Sequence, residues 1–453
     1  MKKQIKWYRP GVALLFCCMA AFKTTAQSQA LGIKTAIETA MTNNRSLRAD
    51  SFSIAAAGSK TREIAGLFLP QVNYSSSTEY NPAIASQLLP GAMVGEPGKE
   101  YVPVKFGTRY NLRNSVEVNQ TIYRKDLKLQ VKEAAMQIGV AQTRYTLSKE
   151  ELVYQVSIRY YALQTNAELI RTTRFDYLNM KEVLDIAKGQ YENGVLKKVD
   201  YESLQINVAN MLSQLNQLQT EYKGQLAYFN YLLGLPAAAE TVISDTISEE
   251  LHAVTKTADN LAQRNDIRLI GQQVMIKENE LKRIQAEKSA AFNSYFRFNL
   301  QSQFNNVDKA FDNDYMFKSS AVGITVTMPL FDGGRRKHRS NAVAAELEQL
   351  KLDSRYKQEQ AQMELVTANN TFGNNREEYS ITKENLLLAT NLFNSRKALY
   401  TEGVSTLMEL LDAERELSKA RNNHMQALIN VQTGWLDLHK AKGTLLTDFI
   451  KSI

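Results

Sequence analysis

Cysteine is almost missing from this chain, and the two present, Cys17 and Cys18, stand side by side near its start. The other residues can build neither a disulfide framework nor a thiolate metal site. Histidine is as sparse: His252, His338, His424 and His439 are scattered without metal-ligand spacing. Only 8 prolines occur in 453 residues, and the long central stretches nearly avoid them, as continuous helices require. No serine sits in a nucleophile-elbow pattern. Asp332-Gly333-Gly334-Arg335-Arg336 lacks the spaced glycines and the lysine of a phosphate loop, and reads better as a strand-to-helix turn. An enzyme is not expected, and no cofactor is implied. A strong excess of positive charge is missing too. Setting aside Lys2, Lys3, Lys6, Arg9 and Lys23 from the 55 basic residues leaves 50 against 47 acidic ones, which reduces the formal +8 to +3. With no aromatic-interleaved basic patch, nucleic acid is not an expected partner.

Those five cations belong to an export signal. A basic start precedes an apolar stretch from Val12 to Phe22, too short for a permanent span. Thr24-Thr25-Ala26 offers a small-residue cleavage site, with Gln27 as the first mature residue. A retained anchor is the rival reading. Leu15-Phe16 before Cys17 puts bulky residues where lipoprotein signals have a small one. Beyond residue 26 no run of about 18 apolar residues follows, so no spanning helix is expected. An exported chain of that kind is either soluble in the periplasm or set into the outer membrane as strands.

The remainder is written twice. Tyr191-Glu192-Asn193-Gly194-Val195 recurs as Tyr400-Thr401-Glu402-Gly403-Val404, an offset of 209. Gln120-Thr121-Ile122-Tyr123 ends an alternating apolar segment, as Met328-Pro329-Leu330-Phe331 does at an offset of 208. The expected organisation is a signal over 1–26, a first repeat over 27–236, a linker or equatorial segment over 237–255, and a second repeat over 256–453. Each repeat holds two strands, near 69–80 and 104–122 in the first and 292–304 and 319–330 in the second. The fold class is mostly α with a small β part, a duplicated helix–hairpin–helix unit. Such a unit cannot bury both faces of its strands alone, which points to an assembly.

In the strands apolar residues alternate with small or polar ones, as in Val322, Ile324, Val326, Met328 and in Phe296, Phe298, Leu300. Period two gives one apolar and one polar face. Asn, Gln, Thr, Ser and Arg on one side suit a wet lumen; Phe and Tyr on the other suit lipid and its interfaces. A half-buried soluble sheet has the same pattern, and the export signal with the long helices tips the choice. Polar loops, about 81–103 and 305–318, join the strands and differ in length between the copies, which marks them as surface loops.

The other segments are helical. Val131, Ala134, Ile138, Ala141, Tyr145, Ser148, Leu152 follow 3-4 spacing, as do Leu204, Val208, Met211, Leu215, Leu218, Tyr222. A third seam, Leu410, Glu414, Leu417, Ala420, His424, Ala427, Val431, carries two polar interruptions. Helices over 125–190 and 335–400 would each reach on the order of 100 Å. Gly194 and Gly403 stand at breaks where the chain can reverse.

With these residues assembled, the chain resembles the TolC-like outer-membrane efflux proteins. Leu67-Phe68-Leu69-Pro70, Met328 through Gly334, the paired Tyr-x-x-Gly-Val, and Ala413-Glu414-x-x-Leu417-x-x-Ala420 carry the resemblance over nearly all of residues 31–446. It implies a homotrimer in the outer membrane that extends into the periplasm. Each chain would give four strands to a shared twelve-stranded barrel and its helices to a periplasmic tunnel. A periplasmic adaptor and an inner-membrane pump would be its partners. Closure of such a barrel removes the edges that lipid cannot satisfy.

The resemblance also implies site residues. Glu409 and Asp412 would ring a periplasmic constriction, a cation-favouring filter able to hold a divalent cation in a trimer. A solvated helix face is the plain alternative for an acidic pair three residues apart. Tyr400 and Asp200 would tie the closed state, at a strength of ~1.5–3 kcal/mol for a buried hydrogen bond to a carboxylate; helix-end packing is the plain alternative for Tyr400. The family's partner arginine falls at Ser405, so a second tie is missing. The turns at Gly194, Val195, Gly403 and Val404 would dock the adaptor. A periplasmic coiled-coil scaffold without a pore is the alternative function; it accounts for the helices but makes poor use of four alternating strands.

Overall fold

Residues 31–243 and 261–450 are described by the computed structural model of the chain. The expected signal, His252 and most of the expected linker lie outside them. The first repeat runs α1 (Ile33–Asn43), α2 (Arg45–Ala65), β1 (Gln71–Tyr80), β2 (Ser86–Pro90), β3 (Tyr101–Lys105), β4 (Tyr110–Tyr123), α3 (Lys125–Glu192) and α4 (Lys198–Leu232). The second runs α5 (Asn265–Ala286), β5 (Ala291–Phe304), β6 (Met316–Thr327), α6 (Arg335–Thr401) and α7 (Leu407–Lys442).

The helices follow their sequence pattern. α3 has 68 residues and α6 has 67, each about 100 Å of continuous helix at ~1.5 Å per residue. The seams face inward: Ala134, Ala141 and Leu152, then Leu204, Val208, Met211 and Leu215, then Leu410, Glu414, Leu417, His424, Ala427 and Val431 are all buried. They fill two cores. One, around Val156, Tyr160, Phe229, Phe372, Trp435 and Leu436, joins α1, α3, α4, α6 and α7 at mid-length. The other, around Met180, Val183, Leu204, Phe393, Tyr400 and Leu410, joins the far ends of α3, α4, α6 and α7. Each fully buried Leu or Phe stabilises the pairing by roughly 2 kcal/mol. Near the start, Asn44 separates α1 from α2. Its extended backbone ends α1, its side chain accepts the Leu47 N–H at 3.0 Å to cap α2, and its amide donates to the Leu232 carbonyl at 2.9 Å.

The two hairpins do not stay apart. β1, β4, β5 and β6 form one antiparallel sheet in that order. The register puts the alternating residues on common faces. Val72, Val118, Phe296 and Val322 share one row, and Tyr74, Val116 and Phe298 the next. On the opposite face Glu117 accepts from Arg297 at 3.0 Å, and Ser115 donates to Asn299 at 2.8 Å. Gly323 makes room for a neighbour: a Cβ there would meet the Tyr295 hydroxyl at 2.7 Å. β1 and β6 are left as free edges, with no partner among the described residues. At one end of the sheet Tyr123, Ala291 and Thr327 lie near one another by register, with Gln71 four residues further along opposite Asn119, and Tyr123 leads through Arg124 alone into α3.

Three strand boundaries differ from the sequence expectation. The first loop is not plain loop: it holds the β2–β3 hairpin, Ser86–Pro90 against Tyr101–Lys105. Residues 104–105 therefore belong to that hairpin, and the chain turns through Gly107 (φ +126°) before β4 begins. The last strand is Met316–Thr327 rather than 319–330. Met328, Pro329 and Leu330 continue the alternation, but Pro329 has no N–H for a ladder.

Candidate functional site

At the end remote from the sheet, α3 reverses into α4 and α6 into α7 through matched turns. Gly194 takes φ +72° and Gly403 φ +75°. In each turn a valine N–H reaches back, Val195 to the Gln190 carbonyl and Val404 to the Leu399 carbonyl, both at 2.8 Å. The left-handed angle requires glycine; nothing lies within 4 Å of a Cβ built at either position. Val195 is 77% and Val404 72% exposed. Two apolar tips thus project side by side from one chain.

Below the tips the far core locks four helix ends together. Tyr400 is buried. Its hydroxyl donates to Gln190 Oε1 at 3.3 Å, so the hydrogen bond expected toward Asp200 falls on Gln190 instead. Burial pushes the Tyr400 phenol up, and the negative charge of Asp200 adds to that. Asp200 therefore stands near enough to act on Tyr400 through charge. The rings of Tyr191 and Tyr201 stack at 5.2 Å, pinning α3 to α4. Lys397 on α6 crosses to α3, donating to Asn179 at 3.1 Å and pairing with Glu182 at 3.3 Å.

Glu409 and Asp412 both sit on the exposed side of the first turns of α7, and each has a cation of its own chain beside it. Glu409 closes a capping box with Thr406, accepting its backbone N–H at 3.1 Å. It also accepts the Ser405 hydroxyl and faces Arg396 at 3.4 Å. The Ser405 hydroxyl, the Thr406 backbone and Arg396 hold its carboxyl below the usual range. Asp412 pairs with Arg415. Ser405, the position at which a second gate tie is expected to be missing, thus anchors Glu409. Among the described residues of one chain, no three His, Cys, Asp or Glu side chains converge as metal ligands; a cation held at Glu409 and Asp412 would need other copies.

Deeper in the same wall lie charges that the sequence did not single out for function. Arg421 of α7 and Asp176 of α3 form an ion pair with both side chains 13% exposed. Glu414 is buried beside Asn207 of α4, and desolvation raises its carboxyl pKa. Arg415, three residues from Asp412, and the Thr406-x-x-Glu409 pattern were readable locally. The Tyr400–Gln190 and Asp176–Arg421 contacts join distant segments, and Arg396 reaches Glu409 across the turn between two helices, so none has a local signature. All the expected site residues, Gly194, Val195, Asp200, Tyr400, Gly403, Val404, Glu409 and Asp412, lie at or beside the two helix turns at this end.

A sheet with one apolar face and two free edges, running into seam-packed helices of about 100 Å, defines a membrane-set helical duct. The chain belongs to the outer membrane efflux protein family, whose sequence model matches residues 36–235 and 285–444. It is 25% identical over 430 residues to the probable efflux pump outer membrane protein SepC of Pseudomonas putida, covering 90% of this chain and 82% of that one. The toluene efflux pump outer membrane protein TtgF, from another strain of Pseudomonas putida, is similar to the same extent. Among solved structures, CusC superposes with a TM-score of 0.75 at 17% identity, covering 92% of this chain and 95% of that one. VceC of Vibrio cholerae gives 0.74 at 16% identity, covering 91% and 96%. The chain is an outer-membrane efflux channel, and its family and fold are those of passive channels.

Proposed function

We propose that three copies of the chain form the exit duct of a tripartite export system, opened by a periplasmic adaptor and powered by an inner-membrane pump. The observation that carries this reading is the continuity of the two-faced, open-edged sheet with the helices of 68 and 67 residues. Four strands per chain cannot enclose a lumen; twelve can, and only closure satisfies the edges in lipid. The polar face, with its Glu117–Arg297 and Ser115–Asn299 contacts, then lines water. The helices continue that lumen into the periplasm. No catalytic group is needed, because conduction is passive and the pump supplies the energy.

At the far end the tips carrying Val195 and Val404 offer the adaptor an apolar docking point on each turn. Glu409 and Asp412 of three chains place six carboxylates around the constriction. Their pairing with Arg396 and Arg415 weakens the cation preference that six bare carboxylates would have. Tyr400 and Asp200 act in the gate, with the hydrogen bond of Tyr400 to Gln190 as its tie within the chain. The names of SepC and TtgF, both outer-membrane proteins of efflux pumps, favour small-molecule cargo over secreted protein.

Reconstitution in planar bilayers tests the whole. Discrete conductance steps from a heat-sensitive, detergent-solubilised trimer are expected. A mature polypeptide that stays monomeric and stable in buffer without detergent, and gives no steps, would instead support the scaffold reading.

A further inference from the structure

The basic charge of the chain is gathered where helices and sheet meet. Residues 60–70, 122–130, 282–292 and 331–339 are the four places where helices meet the sheet, and together they hold twelve Lys or Arg and four Asp or Glu. The two strand-joining loops at the opposite end of the sheet, 81–109 and 305–318, hold five of each. The junction excess of eight exceeds the +3 of the whole chain beyond residue 26, so the remainder is net acidic. Basic residues at the junctions are therefore a local feature and no reflection of overall composition.

Part of this charge is neutralised within the chain. Arg124 pairs with Asp126, Arg336 with Asp332, and Arg339 with Glu287. Lys125 and Lys128 at the start of α3, and Arg335 and Lys337 at the start of α6, are exposed and have no acidic partner among the described residues. Next to them on the sheet side stands a belt of exposed apolar groups. Leu69 is 63% and Phe331 87% exposed. Tyr123 and Phe292 meet edge to face at 6.3 Å, brought opposite each other by the bulge after Thr121. Tyr123 two residues before Lys125, and Phe331 four before Arg335, place aromatic rings beside unpaired cations, which matches the boundary between acyl chains and headgroups.

We propose that this junction binds anionic phospholipid headgroups of the membrane leaflet facing the helical duct, with Lys125, Lys128, Arg335 and Lys337 contacting the phosphates. The belt fixes the depth of the sheet, and the cations engage the lipid layer just below it. This reading rests on the sheet's lying in the membrane as proposed above. The occupant is argued from charge complementarity: four unpaired cations per chain at the headgroup level attract anionic over zwitterionic lipid, and the attraction falls away with salt.

The trimer is reconstituted into bilayers of phosphatidylcholine carrying a trace of spin-labelled lipid, and the protein-bound fraction of the label is measured by electron paramagnetic resonance. Labelled phosphatidylglycerol is expected to associate about fivefold more strongly than labelled phosphatidylcholine at low salt, with the preference mostly lost at 0.5 M salt, beyond roughly one Debye length of ~3–5 Å. A variant combining Lys125→Gln, Lys128→Gln, Arg335→Gln and Lys337→Gln is expected to show no preference while retaining the heat-sensitive trimer. Equal association of both lipids with the wild-type trimer overturns the proposal without recourse to any variant. Undiminished selectivity in the variant overturns it too, as does capture by isolated peptidoglycan sacculi with no lipid preference. Failure of the protein to enter bilayers at all is a separate outcome that would sink the membrane placement itself.

Discussion

Glu414 carries a charge where the helix seam wants an apolar side chain. It is 8% exposed, and burial lifts its pKa above the ordinary carboxylate value. The folded chain thus holds that proton more tightly than the unfolded chain. The resulting stabilisation is complete below the ordinary pKa and is lost as pH rises through the elevated one. Glu414→Gln keeps the shape and the contact to Asn207 without the charge. It is expected to raise the melting temperature at pH 7.5 by about 1–2 °C and to leave it unchanged near pH 4, which calorimetry at the two pH values checks. A second residue-scale test concerns Tyr400. Its bond to Gln190 joins two neutral groups, worth about 0.5–1.5 kcal/mol, less than a bond to a carboxylate would be. Tyr400→Phe is expected to raise single-channel conductance or open probability in planar bilayers; unchanged traces would remove the phenol from the gate.

At the scale of elements, much was legible. The seams on α4 and α7 were read position by position from 3-4 spacing, and Leu204, Val208, Leu410, Leu417 and Val431 are buried as that spacing requires. The strand faces were equally plain, because period two leaves one choice of face once one residue is placed. What was not legible were the points where backbone geometry overrides pattern. Val102 and Val104 alternate as well as Val116 and Val118 do, yet they belong to a separate hairpin because the chain turns at Gly107. Asn44 ends α1 with its extended backbone and caps α2 with its side chain. At the site, glycines and local pairs were readable, while Gln190 and Arg396 depend on helix contacts made across some 210 residues for the one pair and 13 for the other. Two tests belong at this scale. Val322 lies on the apolar face and Ala321 on the polar face. Val322→Arg is expected to cost about 2 kcal/mol in membrane stability, measured by reversible denaturant unfolding in liposomes, whereas Ala321→Arg is expected to fold and shift ion selectivity. Gly403→Ala meets no steric contact, so only its φ of +75° resists the new side chain. The expected cost is about 1 kcal/mol, seen as faster amide exchange around residues 399–407 with no change at the sheet.

For the whole molecule, the free edges of β1 and β6 are the deciding feature. A four-stranded sheet exposing Val72, Tyr74, Val322 and Ile324 has no stable home in water or, with open edges, in lipid. Assembly and membrane insertion are therefore expected to be one event. Deleting residues 71–80, which removes β1, should leave nine strands among three chains and abolish the heat-sensitive trimer on semi-native gels. Persistence of that band would show that the helices alone hold three copies together.

The extra β2–β3 hairpin sets the two ends of the proposed assembly apart. Toward the interior, each chain presents two nearly equivalent glycine turns, so three chains display a quasi-hexagonal rim. On the outside only one repeat carries the hairpin, so the mouth keeps a strict three-point pattern. A periplasmic ring can therefore read the protein in six places, while a ligand arriving from the medium, such as an antibody or a phage tail, meets just three.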